Sequence, residues 1–328
     1  MKYNELIKYI ADGALDERFA RLYPGADVAV ARRRYTDAVV EFGRLFGEEG
    51  ELSLFSVPGR SELSGNHTDH NHGCVIAASI DLDIIAVARP REDGVVRLQS
   101  RGFDMDVVTP EQCVTPDPAR AGHADALIAG VINALNKNGR KSGGFDAYTT
   151  SSVLKGSGLS SSAAFEDMVG TIENYFYNYG SIGYIEIAQM SQYAENRFFG
   201  KPCGLMDQLA CSAGGIVFID FADPAAPVVE KVDFDITGAG YALCIVDRHG
   251  RQPRRPDGRL RGGACRDEVG GALFRRGVPA QRRRGRGVAC TARAARGVRR
   301  PSRSSRAALL RRKLPRDLPA RGAALRQS

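Results

Sequence analysis

Between an alternating run, Phe145-Asp-Ala-Tyr-Thr-Thr150, and a helix-period run from Phe165 to Phe176 lies the stretch Gly156-Ser-Gly-Leu-Ser-Ser-Ser-Ala-Ala164. Phe165, Met168, Val169, Ile172 and Phe176 fall at i, i+3, i+4, i+7 and i+11, one face of an amphipathic helix. The period changes from two to 3.6 across a few small residues, so a strand must turn here into the N-terminus of a helix. Unpaired backbone N–H groups and the positive end of the helix dipole suit a phosphate at such a turn. Glycine lets the backbone come close to an anion, and serine hydroxyls donate to phosphate or ligate Mg²⁺. A Gly/Ser linker or a plain N-cap cluster has the same composition, and this stretch alone leaves that alternative open. No lysine follows the last glycine, so this is not a Walker loop.

Two more stretches carry concentrated chemistry. Gly59-Arg-Ser-Glu-Leu-Ser-Gly-Asn-His-Thr-Asp-His-Asn-His-Gly73 holds three of the five histidines. The spacing of His67, His70 and His72 fits neither H-E-x-x-H nor a finger pattern, and a glycine-bounded loop with Arg60, His67 and Asp69 better suits a hydroxyl-rich ligand such as a sugar. Cys203-Gly-Leu-Met-Asp-Gln208 puts a carboxylate beside a glycine-bearing turn. Spacing alone favours Asp207 as a helix N-cap over a general base.

The remaining chain alternates helical and strand-like runs. Residues 1–50 read as helical, with Leu6, Tyr9 and Ile10, then Tyr35, Val39, Phe42 and Phe46, on apolar faces. Phe55 to Val57 reads as a short strand entering a Pro58-Gly59 turn. Leu82–Ala88, Val95–Leu98 and Asp104–Val108 suggest a mixed or antiparallel sheet, and Gly215–Asp220 and Tyr241–Val246 suggest further strands. Ala124–Leu135 and Ile185–Phe198 read as helices, the second stopped by Gly200 and Pro202. There is no run of 18 apolar residues and no signal peptide in the given sequence, so a cytoplasmic protein without a membrane partner is expected. Seven irregularly spaced cysteines with no C-x-x-C argue against a disulfide framework or zinc site.

The three stretches, G-R-x-x-x-x-G-x-H-T-D-x-N at 59–71, G-S-G-L-S-S-S-A-A at 156–164 and A-E-N-x-x-x-G-x-P-C-G-L-M-D-Q at 194–208, resemble galactokinase in order and separation. Galactokinase belongs to the GHMP small-molecule kinases, and the resemblance covers about residues 40–247. It implies an α+β fold with a GHMP kinase-type N-terminal domain (ribosomal S5 domain 2-like), and a C-terminal GHMP domain largely missing or scrambled. It implies ATP and Mg²⁺ as cofactors, galactose or a close relative as substrate, and galactose 1-phosphate as product. In this resemblance Asp207 takes the proton of the anomeric hydroxyl and Arg60 is its partner. Ser162 and Glu195 match metal ligands. Gly156, Ser157, Gly158, Leu159, Ser160, Ser161 and Ser162 match the phosphate loop, and Ser100 falls at a nucleotide contact. Asn66, His67, Thr68 and Asp69 match the sugar loop, and Gly204 a backbone contact to sugar. A catalytically silent sugar sensor is the other reading; such sensors tend to lose catalytic residues, whereas Asp207, Arg60, Ser162 and Glu195 are all present.

Two departures stand out. Asn66 replaces the glutamate of the family's E-H-T-D loop and lacks its charge-assisted bond to a sugar hydroxyl; Glu62 replaces a family asparagine. The larger departure is charge. The formal net charge is +8, yet residues 248–328 hold 24 Arg and one Lys against four acids (+21), and the other 247 residues hold 21 basic against 34 acidic side chains (−13). Residues 1–247 are therefore expected to form the GHMP N-terminal region with the ATP and sugar site, and 248–328 an arginine-rich tail outside the family, too poor in large apolar side chains to pack. A basic nucleic-acid-binding tail is one account, disfavoured by the near absence of lysines and aromatics. The other is a shifted reading frame. Read one nucleotide later, with suitable synonymous codons, Asp247 to Glu268 yields T-G-T-A-G-N-H-A-D-L-T-D-D-Y-A-A-V-P-A-E-M-K, which looks like the galactokinase continuation.

Overall fold

The computed structural model describes residues 1–153, 158–236, 238–241 and 243–245. The arginine-rich tail, and with it the expected boundary at 247, lies outside the described residues.

The centre of the fold is one long strand. β2 (Cys74–Arg91) pairs along one side with β1 (Ser53–Ser64), antiparallel. Its other side is shared: Cys74 to Ala78 pair with β6 (Ile216–Asp220), and Ile84 to Arg91 pair with β5 (Gly144–Ser151), both antiparallel. β3 (Val96–Ser100) lies parallel to β5, β4 (Met105–Val108) antiparallel to β3, and β7 (Val228–Val232) antiparallel to β6. The sheet is therefore mixed, with order β4-β3-β5-β2-β6-β7 and β1 added on β2.

Alternation along the strands divides the core. Ile84, Ala86 and Ala88 of β2 and Phe145 and Ala147 of β5 point to one face, against α4 (Ala124–Lys137), α5 (Ser161–Tyr177) and α6 (Tyr184–Ala194). Ile85, Val87 and Tyr148 point to the other, against α1 (Tyr3–Ala11), α2 (Asp16–Leu22) and α3 (Val28–Phe46). A strand covered on both faces reads as a continuous apolar run, which is why only Leu82–Ala88 stood out. On α5, Met168, Val169 and Ile172 are buried as the spacing predicts, each contributing about 1.5–3 kcal/mol of transfer free energy. Asp146, buried in β5, accepts from Arg89, Arg91 and Arg97 and so ties β5 to β2 and β3.

Several local expectations change. Pro58-Gly59 is no turn: β1 runs through it, with a shift of register between Pro58 and Arg60. The reason lies across the chain, because Arg60 donates its backbone N–H to the Leu159 carbonyl at 3.2 Å, and a Cβ on Gly59 would stand 2.8 Å from that same oxygen. Glycine is needed there for the serine-rich turn to lie against β1. Tyr9 is exposed while Leu6 and Ile10 are buried. The helix expected to Phe198 ends at Ala194 and continues as a π turn, Glu195–Phe199. The described residues of 241–245 form no strand.

Candidate active site

The glycine- and serine-rich turn does open a helix. Gly158 (φ 79°) and Ser160 (φ 61°) both take the left-handed conformation, and α5 starts at Ser161. Gly156 and Ser157 lie outside the described residues. The loop 59–73 enters from β1, with Asn66 and His67 also left-handed and a short 3₁₀ turn over Thr68–Asn71. The third stretch becomes α7 (Met206–Ala213), packed on β6 and the first part of β2.

These elements meet at Asp207. Arg60 approaches Asp207 Oδ1 through Nε at 2.8 Å and NH2 at 2.7 Å, and donates through NH1 to the Gly158 carbonyl at 2.7 Å. Ser160 Oγ donates to Asp207 Oδ2 at 2.6 Å. One arginine from β1 thus holds the serine-rich turn and the α7 carboxylate in one geometry. Arg60 is buried, its side chain 8% exposed, whereas that of Asp207 is 36% exposed. The cation is fixed from behind and the carboxylate can be reached from outside. Asp207 is the second residue of α7, with Leu205 at the N-cap, so the N-cap reading of spacing alone is overturned.

A second cluster lies beside it. Ser162 Oγ donates to Glu195 Oε1 at 3.3 Å, and Lys201 Nζ donates to the same oxygen at 2.6 Å. Gln208 Nε2 donates to Glu195 Oε2 at 3.0 Å and to Glu166 Oε2 at 3.2 Å. Burial and the charge of Glu195 push the Glu166 carboxyl well above the usual carboxylate range. Burial pulls on Lys201 in the direction of losing its proton, but the hydrogen bond and charge of Glu195 outweigh it and the ammonium holds its proton more tightly than usual. Ser162 and Glu195 offer two converging hard oxygens, the donor set that suits Mg²⁺ when phosphates supply the rest. Among the described residues no three His, Cys, Asp or Glu side chains gather as a metal cluster.

The third group joins the sugar-type loop to α7. Asp69, 8% exposed, accepts from the Met206 N–H at 3.5 Å through Oδ2, and its Oδ1 has no protein partner. A Cβ on Gly204 would fall 1.8 Å from Asp69 Oδ2, so only glycine admits this approach. Glu62 shapes the loop: it accepts from the His67 backbone N–H at 2.9 Å and faces the His67 ring at 3.3 Å. Asn66 and His67 are exposed, and Thr68 Oγ1 donates to the Cys74 carbonyl. Ser100 ends β3, bonded to Thr149 Oγ1 at 3.0 Å on the α4–α5 face of the sheet, with no hydrogen bond to the Asp207 group. Lys201, Gln208 and Glu166 were not singled out as site residues by the sequence. Lys201 and Gln208 lie inside the third motif, and a glutamate on a helix gave no sign of being buried. Two hollows, of about 680 and 610 Å³, lie elsewhere: one between α3 and the sheet around Arg101 and Tyr148, one around Ser79, Gly215 and Phe234. Neither is lined by Asp207.

Comparison with known proteins bears on both halves of this geometry. The galactokinase galactose-binding signature matches residues 40–90, and the GHMP kinases N-terminal domain matches residues 126–215. In these two segments the chain is similar to the galactokinases of the GHMP kinases. A galactokinase of Streptomyces coelicolor is 36% identical over 211 residues, 63% of this chain and 52% of the relative. One of Bacillus subtilis is 34% identical over 177 residues, 53% and 44% of the two chains. The crystal structure of Lactococcus lactis galactokinase complexed with galactose superposes with a TM-score of 0.54 at 28% identity, covering 60% of this chain and 51% of that one. The chain spans about half the length of the curated relatives it matches. Among the described residues no helix is long and apolar enough to cross a membrane.

Proposed function

We infer that this chain carries the N-terminal half of an ATP-dependent sugar kinase site that phosphorylates the anomeric hydroxyl of galactose, or a close relative, to give the sugar 1-phosphate and ADP. The observation that carries the reading is the Asp207 carboxylate, open on one side and gripped on the other by Arg60 and Ser160 at the mouth of α5. The named galactokinase relatives and the galactose complex of the Lactococcus lactis protein support the substrate class. Nothing in the site or the relatives favours a silent sensor over it.

In this reading Asp207 accepts the proton of the sugar hydroxyl as its oxygen attacks the γ-phosphorus and ADP departs. Arg60 fixes the carboxylate and offers positive charge close to the transferring group. The backbone N–H groups of Ser161 and Ser162 at the start of α5 face the nucleotide phosphates. Ser162 and Glu195 would hold Mg²⁺, which when bound neutralises phosphate charge. Asp69, with its unpartnered Oδ1, accepts from a sugar hydroxyl, while Asn66, His67, Thr68 and the Gly204 backbone line the sugar side. Ser100 borders the nucleotide. In this reading residues 1–247 are the GHMP kinase N-terminal region with the ATP and sugar site, and 248–328 are an arginine-rich tail outside the family. The test is ADP release with galactose, galactosamine and glucose, on this chain and on one shifted by a nucleotide after codon 247. Asp207→Asn is expected to lower turnover about 100- to 10,000-fold while ADP still binds. Unchanged turnover would remove Asp207 from the mechanism.

A further inference from the structure

We propose that Lys201 is a built-in counter-ion for the metal carboxylate: it occupies Glu195 when no divalent cation is bound and must give way when one arrives. The proposal rests on the reading of Ser162 and Glu195 as the Mg²⁺ ligands. Glu195 is almost wholly buried, and its two oxygens are not equivalent. Oε2 is taken by the buried Gln208 amide at 3.0 Å. That leaves Oε1, the oxygen toward which Ser162 Oγ points at 3.3 Å, as the one facing a cation. Lys201 Nζ holds this same oxygen at 2.6 Å. An ammonium and Mg²⁺ cannot share it without strong repulsion.

The backbone brings the lysine there. The π turn Glu195–Phe199 ends on Gly200 in the left-handed conformation, φ 81°, and Lys201 N–H closes back on the Glu195 carbonyl at 3.1 Å. The lysine side chain therefore folds over the residue six positions earlier. The pair is lopsided in exposure, 44% for the Lys201 side chain and 3% for Glu195. The ammonium can leave to water, while the carboxylate cannot follow. A buried carboxylate stripped of its partner is costly, so the lysine stabilises the metal-free fold and, by linkage, weakens metal binding.

The test is calorimetric titration of ADP over a range of Mg²⁺ concentrations, with thermal melting of the same full-length samples. Lys201→Met is expected to melt lower than wild type without Mg²⁺, to regain more of that loss with Mg²⁺ and ADP, and to need roughly fivefold less Mg²⁺ for half-maximal ADP binding. Lys201→Arg, which keeps the charge, should stay near wild type. An unchanged Mg²⁺ midpoint in Lys201→Met, with Glu195→Gln strongly weakened, would overturn the proposal and leave the metal site standing. Weaker ADP binding in Lys201→Met at saturating Mg²⁺ would also overturn it, since the lysine would then be serving the phosphates. If Glu195→Gln keeps the wild-type Mg²⁺ dependence, the metal-site reading fails and the proposal falls with it.

Discussion

Replacing Gly204 with alanine tests whether the third motif and the sugar-type loop form one site. The new methyl would fall 1.8 Å from Asp69 Oδ2, 2.7 Å from Asp69 Cγ and 3.1 Å from His70 Nε2. No left-handed backbone is involved, so the effect is a pure side-chain collision. A carbon and an oxygen need more than 3 Å, so the Asp69 carboxylate must swing away and surrender its contact to the Met206 N–H. Overpacking of this kind costs about 1–3 kcal/mol, and the carboxylate, as the end of a short side chain, can yield, so the low half of that range is expected for stability. Sugar binding suffers more. Losing a charged hydrogen-bond acceptor at the sugar is worth roughly 1.5–3 kcal/mol, or about 10- to 150-fold in KM for galactose, with ADP affinity unchanged. The decisive control is a double-mutant cycle. In an Asp69→Ala background the methyl has space, and Gly204→Ala should then add less than about 0.5 kcal/mol to the loss. If the two penalties simply add, in melting and in galactose KM alike, the collision with Asp69 is not the cause and the link between the two motifs is refuted.

Other outcomes follow from the same geometry. Arg60→Lys should retain charge but lose the paired grip on Asp207 and Gly158; turnover is expected to fall about 100-fold with little change in ADP affinity, and an effect on affinity alone would assign Arg60 to binding. Glu173 is buried on α5, and burial raises its carboxyl to about 8. Its folded value is above its unfolded one, so the stability it allows is complete below about pH 4.5 and is lost as pH rises through about 8. Glu173→Gln should therefore be more stable than wild type at pH 8.5, by up to about 4 kcal/mol, and nearly equal at pH 4.5; parallel denaturation profiles across that window would exclude the effect. Asp146→Ala removes the carboxylate shared by Arg89, Arg91 and Arg97; Arg89 keeps the Phe46 and Glu49 carbonyls and Arg91 keeps Asp93, so the low end of about 3–5 kcal/mol is expected by urea melts. Sequencing the gene across codon 247 decides the origin of the arginine-rich tail, and agreement with the given frame there would defeat the shifted-frame account.

Elements were legible where their period survives in the residues. The α5 stripe of Met168, Val169 and Ile172 is the plainest case, and β5 kept a strand-like pattern although both of its faces are covered. β2 was half-visible, since a strand covered on both faces has no alternation to read, and its first part, Cys74–Ala78, pairs with β6, which lies far along the sequence. Pro58-Gly59 misled because local turn chemistry predicts a bend, whereas the glycine is there to admit the Leu159 carbonyl. The helix ending at Ala194 was overrun for a related reason: a π turn keeps helical periodicity while changing which side chains align. The resemblance singled out Asp207, Arg60, Ser162 and Glu195, and the structure brings Asp207 beside Arg60 and Ser162 beside Glu195, but the resemblance said nothing of Lys201 and Gln208 contacting Glu195. Those contacts depend on a turn closing over six residues and on an amide reaching between two helices, neither of which leaves a periodic trace.

The way the site is assembled explains why no single motif could establish it. Arg60 is useful only if α7 brings Asp207 to β1, and α7 is held to the sheet by apolar residues, Leu205, Met206 and Leu209, that carry no chemistry of their own. Ser160 can reach Asp207 only because two left-handed residues turn the loop back before α5 begins. A random serine-rich linker would meet the composition of the first motif and fail that geometry. Because Arg60 donates to both the Gly158 carbonyl and Asp207, displacing either loop breaks the other contact. Damage at any one of the three segments should therefore appear in the other two, and Arg60→Lys, Ser160→Ala and Gly204→Ala should couple pairwise by more than distant substitutions do.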